Sequence, residues 1–338
     1  MPGRGETVGA QLSAAEQVQG IMFTGSTEVA KILQKTVAKR LSKNGESIPL
    51  IAETGGQNAM IVDSSALTEQ VVLDVVSSAY DSAGQRCSAL RVLCVQEDNA
   101  DAVIQMLKGA MQQLQVGNPY LLKTDIGPVI DAEAQENIQK HIDKMRQKGH
   151  RVHQLMRNDA QDSELDAGTF ITPTLIELPN LNDLEREVFG PVLHVIRFNQ
   201  GSLKQLLEHI NSKGYGLTMG LHTRIDETIQ TVMTHAEVGN LYINRNIVGA
   251  VVGVQPFGGE GLSGTGPKAG GPIYLYRLMQ NCSAKKLNKP FATGADLNPQ
   301  VEFSNSALFL EWAAKTFPAV KLAKIENFCS GHHYELQG

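Results

Sequence analysis

Ile51-Ala52-Glu53-Thr54-Gly55-Gly56-Gln57-Asn58 opens, and Ser82-Ala83-Gly84-Gln85-Arg86-Cys87-Ser88-Ala89 closes, the stretch on which the reading of this chain turns. Glu53 sits on a glycine-rich linker 34 positions before Cys87, and Cys87 lies in a loop of small residues. Cysteine is a strong nucleophile, yet at neutral pH only a few per cent is thiolate unless its surroundings help. A carboxylate can take the thiol proton or activate a water for a second step. The two residue types make a working pair for acyl transfer, although soluble proteins contain many such pairs.

The flanking sequence predicts alternating strands and helices. Gln17 to Phe23 reads as a strand, Thr24-Gly25-Ser26-Thr27 as a turn, and Glu28 to Leu41 as an amphipathic helix with Val29, Leu33, Val37 and Leu41 four apart. The hydroxyls at that helix start fit an ordinary cap or, alternatively, a phosphate seat, since free N–H groups and the helix dipole favour an anion there. Ile48 to Ala52 and Asn58 to Val62 read as strands, and Leu67 to Ala83 as a helix buried along Val71, Val72, Val75, Val76 and Ala79. Gly84 breaks it and leaves Cys87 in a loop. Arg91 to Val95 alternates as a strand, which makes Cys94 a core residue.

Further on, Ala100 to Leu114 and Asp131 to Lys148 read as helices, and Phe170 to Leu178 and Val192 to Phe198 as strands. Ser202 to Asn211, Leu217 to His222, Ile225 to Glu237 and Asn240 to Asn244 continue the alternation. This pattern predicts an α/β fold with a largely parallel sheet. Residues 249–271 hold nine glycines, too many for a helix or a central strand. They read as a loop, either merely flexible or facing a substrate with its backbone N–H groups. Gly3-x-Gly5-x-x-x-Gly9 misses the dinucleotide spacing, has no preceding strand, and reads as a tight loop. From about Lys285 the character changes. Leu287 to Pro299 reads as a linker, Ser306 to Phe317 as a helix and Ala319 to Lys324 as a strand.

Composition sets the class. At 338 residues the chain suits two domains, and 42% hydrophobic with 19% charged residues fits a globular protein. A net charge of -5 gives no electrostatic case for nucleic acid or an anionic membrane. Four cysteines without a paired framework, no apolar run of membrane-spanning length and no recognisable targeting signal at the N-terminus together predict a cytoplasmic location. The nine histidines show no metal-ligand spacing, so no metal is expected.

Five motifs occur in order: Phe23-Thr24-Gly25-Ser26-Thr27, Glu53-Thr54-Gly55-Gly56, Gly84-Gln85-Arg86-Cys87, Glu187-Val188-Phe189-Gly190-Pro191, and the segment from Asn240 to Gly259. In this the chain resembles the NAD(P)-dependent aldehyde dehydrogenase superfamily. The wording of Ala52 to Ala59 and of Val251 to Gly259 is similar to one branch, the glutamate-semialdehyde (pyrroline-5-carboxylate) dehydrogenase part of bacterial bifunctional proline-utilisation proteins. The resemblance covers about residues 2 to 280 and implies an NAD-dependent oxidation of glutamate semialdehyde to glutamate. It implies Cys87 as the nucleophile, with its own N–H donating to the oxyanion, and Glu53 as the base that activates water against the thioester. It places Gly25 and Ser26 at the cofactor pyrophosphate, the Thr54 carbonyl at the nicotinamide amide, Glu187 at the ribose hydroxyls and Phe189 near the ring. Ser88, Gly249 and Ala250 would anchor the substrate carboxylate, and Phe257 would pack on its aliphatic part. A hydroxyl with converging N–H groups can hold a carboxylate without a lysine or arginine.

The same resemblance implies a partial Rossmann-like NAD domain in residues 1–53, an α/β catalytic domain in 54–255, a return segment in 256–284 and an unassigned tail beyond. It also implies a long part before Pro2 that would carry first strands, a cofactor lysine and an oxyanion-hole asparagine. Loss of one oxyanion donor costs about 10²–10³ in turnover, so on this reading the chain alone turns over little. Three readings stay open: a dehydrogenase, for this or another small aldehyde, belonging to a homo-oligomer or a larger bifunctional chain; a non-catalytic remnant; and an esterase-like thiol hydrolase.

Overall fold

Short aliphatic runs alternating with amphipathic stretches dictate alternating strands and helices, each burying one face against the next. The computed structural model describes residues 2–156, 165, 168–251, 253–271 and 273–279, with the backbone of 321–324 and 334–337. The chain forms two units, Met1–Lys268 and Ala269–Gly338. The first runs through a wide helical turn at Gly5–Gly9, α1 (Ala10–Ala14), β1 (Ile21–Thr24), α2 (Thr27–Val37), β2 (Leu50–Glu53), β3 (Ala59–Val62), α3 (Thr68–Tyr80), β4 (Val92–Gln96) and α4 (Glu97–Met111). It continues with α5 (Ala132–Gln147), β5 (Arg151–Gln154), β6 (Thr174–Glu177), β7 (Val192–Phe198), α6 (Leu203–Ser212), β8 (Tyr215–Gly216), β9 (Thr218–His222), α7 (Asp226–His235), β10 (Asn240–Ile243) and β11 (Glu260–Gly261). The second unit holds α8 (Tyr274–Leu278) and an antiparallel pair, β12 (Lys321–Lys324) with β13 (Tyr334–Gln337).

Seven strands form the main sheet in the order β10-β9-β3-β4-β7-β6-β5. Every pairing in it is parallel except that of β5 with β6. A parallel sheet must be covered on both faces, and here two cores do so. Met60 and Val62 with Leu93 and Val95 face Val71, Val75, Val103 and Leu107 of α3 and α4. The alternate residues, Ala59 and Ile61 with Val92 and Cys94, face Ile138 and Ile142 of α5 and Leu207 of α6. A separate two-stranded parallel sheet, β1 with β2, packs Leu50 and Ala52 against Val37 and Leu33 of α2. Among the described residues no helix is long and apolar enough to cross a membrane.

The α/β class and the parallel sheet are as the sequence predicts, and Cys94 is fully buried in β4. Several boundaries move for identifiable reasons. Residues 5–14 are helical rather than a tight loop, because the Arg4 carbonyl accepts from Thr7 and Val8 N–H and starts a turn. The α2 helix stops at Val37, and Leu41 pairs with Ser47 instead of extending it. Pro173 has no N–H to give a ladder, so β6 begins at Thr174 and not at Phe170. Glu97 and Asp98 favour a helix N-terminus, and α4 starts there, ahead of Ala100. The short edge strand β5 has no apolar alternation to announce it. The expected linker at Leu287–Pro299, the helix at Ser306–Phe317, Cys282, Cys329 and His332-His333 lie outside the described residues.

Leu93 is fully buried at the centre of β4, whereas Leu73 on α3 is 72% exposed. Leu93→Ala is expected to cost about 3 kcal/mol, and Leu73→Ala less than about 0.5 kcal/mol. Urea unfolding monitored by circular dichroism checks both.

Candidate active site

Asn58 immediately precedes β3, Arg91 precedes β4 and Pro191 precedes β7. The candidate residues therefore gather at the amino ends of the main-sheet strands, where open α/β sheets more often place ligands at carboxyl ends. The small sheet keeps the usual rule. Glu53 is the last residue of β2, and its carbonyl accepts from Gly25 N–H at 3.1 Å.

The loop before Cys87 is bent against its own preference. The α3 helix ends at Tyr80 rather than Ala83, and Ser82, Ala83 and Gly84 take left-handed φ values of 55°, 53° and 63°. Such conformations cost free energy for residues with a Cβ and persist where packing over-determines them. A Cβ on Gly84 would run into the Gly190 carbonyl and sit 2.9 Å from the Ala79 oxygen. Asn58 holds the far side: its Nδ2 donates to the Cys87 and Ala89 carbonyls at 2.6 and 2.9 Å, and its Oδ1 accepts from Thr218 N–H at 3.2 Å.

Arg91, which sequence reasoning took for an ordinary strand residue, is 1% exposed. All five of its N–H donors are used. Nη1 donates to the Gly84 carbonyl at 2.6 Å and the Gly190 carbonyl at 3.3 Å, and Nη2 to the Arg86 carbonyl at 3.0 Å. Nε and Nη2 both reach Glu187 Oε1, at 3.2 and 3.0 Å. Its guanidinium carbon lies 5.2 Å from the centroid of the Phe189 ring, a cation–π distance. The sequence carried one signal for it, a cation inside the run Ala89-Leu90-Arg91-Val92-Leu93-Cys94-Val95, all buried. A charge in such a run must be paired.

Electrostatics link the candidate nucleophile to both carboxylates. Burial pushes the Cys87 thiol up, Glu187 and Glu53 push it further, and the Ser88 and Cys87 N–H groups oppose them. Burial also raises Glu53, to about 7, against a hydrogen bond from Gly259 N–H and the charge of Lys268. Glu53 Oε2 accepts from Gly259 N–H at 3.1 Å, while Oε1 is buried with no hydrogen-bond partner. Gly258 and Gly264 crowd that oxygen, since a Cβ on either would lie 2.7 or 3.2 Å from it. Part of the glycine-rich 249–271 loop thus packs on Glu53.

Other candidate residues fall in three groups. Gly25 and Ser26 are exposed at the start of α2, where the Ser26 hydroxyl caps the helix by accepting from Val29 N–H at 3.2 Å. Thr54 is buried, its N–H bonded to the Ser263 carbonyl at 2.9 Å and its hydroxyl to Leu262 at 2.6 Å. Phe257 is half-buried between Pro256 and Gly258, both of which bond the Asn240 side chain. The segments that carry Ser88 and the Gly249-Ala250 pair each bond Ser78 of α3 close by. The Ser78 carbonyl accepts from Leu90 N–H at 2.8 Å, and its hydroxyl accepts from Ile247 N–H at 3.1 Å. An exposed helix start, a carboxylate with one oxygen off the arginine and the 44% exposed ring of Phe189 form a donor set that fits a dinucleotide.

The raised Glu53 carries a stability signature. Its carboxyl holds a proton more tightly in the folded state, so its contribution is full below about 4.5 and is lost as pH rises through about 7. With its side chain partly solvated, Glu53→Gln is expected to stabilise the fold by about 1 kcal/mol near pH 8 and to change little near pH 4. Thermal melts at the two pH values check it.

The Aldehyde dehydrogenase family model matches residues 1–283. The bifunctional protein PutA of Escherichia coli is 66% identical over 282 residues, which is 83% of this chain and 21% of that protein. The 1-pyrroline-5-carboxylate dehydrogenase of Geobacillus thermodenitrificans is 36% identical over 293 residues, 86% of this chain and 55% of the relative. A crystal structure of bifunctional proline utilization A superposes with a TM-score of 0.75 at 51% identity, covering 81% of this chain and 27% of that one. The Thermus 1-pyrroline-5-carboxylate dehydrogenase with bound NAD gives 0.73 at 35%, covering 82% and 52%. The chain spans about a fifth of the PutA relatives it matches and about half of the dehydrogenases. A family match over most of the sequence, on a fold whose thiol and carboxylates meet at one end of the sheet, means that the chain belongs to the aldehyde dehydrogenase family.

Proposed function

We propose that this chain carries the thiol and base of an NAD-dependent dehydrogenase that oxidises glutamate semialdehyde to glutamate in proline breakdown. The observation that carries the reading is the electrostatic meeting of Cys87 with Glu53 and Glu187, in a chain 66% identical to part of a PutA protein. The name of the Thermus relative, which includes bound NAD, supports the choice of cofactor. We read residues 1–53 as part of the cofactor-binding region and 54–255 as the catalytic domain, with 256–284 returning toward the former. This is supported by Thr265, whose N–H donates to the Ala52 carbonyl at 2.9 Å. A nucleophilic thiol works only where it is kept reduced, which supports a cytoplasmic location.

Cys87 rests as a thiol, because burial and two carboxylates oppose its charge. Glu53, ionised above about 7, takes the proton as sulfur adds to the aldehyde carbon. The Cys87 N–H would donate to the oxyanion that forms. NAD, when bound, supplies the hydride acceptor; Gly25 and Ser26 would hold its pyrophosphate, Thr54 its amide, Glu187 a ribose hydroxyl and Phe189 its ring. Glu53, once it has passed that proton to solvent, activates the water that frees the acid from sulfur. The Ser88 hydroxyl and the Gly249 and Ala250 N–H groups would hold the substrate carboxylate, with Phe257 along its methylenes.

The test is NADH formation by the full chain with glutamate semialdehyde and with an uncharged aldehyde of similar length. Turnover by the chain alone is expected to be low, and within it the charged substrate is expected to be preferred, with kcat/KM rising through about pH 7 as Glu53 ionises. Ser88→Ala is expected to raise KM for glutamate semialdehyde about tenfold, the loss of one hydrogen bond to a charged group. Cys87→Ala should leave no rate. Activity surviving Cys87→Ala, or equal use of the uncharged aldehyde, sinks the reading.

A further inference from the structure

Arg91 is built into the site more tightly than strand pairing requires. A parallel strand entry asks nothing of its side chain, yet this one spends every donor on two loops. Gly84 and Arg86 belong to the loop that carries Cys87, and Glu187 and Gly190 to the loop before β7. The guanidinium is a permanent charge at any working pH. Both Glu187 contacts fall on Oε1, leaving Oε2 against Gly55, where a Cβ would overlap it.

That geometry has an electrostatic result. The charges of Glu187 and Glu53 act on Cys87, Cys87 and Arg91 act on each other, and Lys268 lowers Glu53. Of the neighbours behind Arg91, His194 places Nδ1 3.0 Å from the Arg91 carbonyl and Nε2 2.9 Å from His141 Nε2. Burial pushes His194 down to about 3 and His141 to about 4, so neither changes charge near neutrality. The negative charge of Glu187 is therefore answered locally by Arg91.

Resting on the reading of Cys87 as nucleophile, we propose that Arg91 is a positioning residue that sets the reactivity of Cys87, by cancelling the Glu187 carboxylate beside the thiol while it holds the thiol's loop. A purely structural arginine would hold the loop equally well, but loss of its charge would leave the thiol midpoint unmoved.

The experiment is the pH profile of iodoacetamide alkylation, followed at the Cys87 peptide by mass spectrometry in the full chain. It needs neither NAD nor aldehyde, so a failed dehydrogenase assay leaves it interpretable. Removing one neighbouring charge is expected to move the midpoint by about one pH unit. Arg91→Met should raise it, Glu187→Gln should lower it, and the double variant should return near the parent. Arg91→Lys, which keeps the charge, should stay within about a third of that shift. A midpoint unmoved in Glu187→Gln overturns the proposal, as does a double variant that stays with Arg91→Met. If Arg91→Met does not fold by circular dichroism, Glu187→Gln and Arg91→Lys decide on the same criteria.

Discussion

A guanidinium taken out of water must be answered donor by donor, and the Cys87 region is arranged around meeting that demand. Burial alone pushes the Arg91 guanidinium down and the Glu187 carboxyl up, and each partner opposes the shift of the other. Replacing such a pair with apolar residues is often harmless, but removing one member alone is severe. The pair is therefore weak as a source of stability and strong as a constraint. Two loops from distant parts of the sequence are held relative to each other because one cation bonds acceptors in both. The left-handed turn at Ser82, Ala83 and Gly84 follows from this, since it aims the Gly84 carbonyl at Nη1.

The same shortage of water shapes the chemistry. Glu53 and Cys87 are each pushed toward their neutral forms by burial, and the Glu53 charge makes ionisation of the thiol harder still. Neither ionises cheaply alone, and the proposed proton transfer between them draws on that shared reluctance. Glycines around Glu53 keep its Oε1 free of side-chain partners while leaving Oε2 on a backbone N–H. An acceptor half-satisfied in this way is ready for a proton from thiol or water.

Much of this was legible in the residues. Ala59–Val62 and Val192–Phe198 announced buried strands because a parallel sheet needs uninterrupted aliphatic runs. The family motifs pointed to Glu53, Cys87 and Glu187 as candidates, and the charges of both acids act on that thiol. What the sequence did not yield were interactions whose partners lie far apart along the chain. Arg91 meets Glu187 across 96 positions, and Asn58 meets Thr218 across 160, and no local pattern records either. The strand β5 was hidden for another reason: Arg151-Val152-His153-Gln154 has no buried face to alternate, its pairing being set by its neighbour β6.

The two sheets differ in how firmly they are held. Cys87 is anchored to the seven-stranded sheet, between cores that line both of its faces. Glu53 ends a two-stranded sheet whose own core is four buried residues with a few half-buried neighbours. Local opening favours elements with few buried contacts. Amide exchange should therefore be faster along β1 and β2 than along β3 and β4. Glu53 can then depart while the sheet behind Cys87 stays closed, so the two candidate groups have separate lifetimes within one fold.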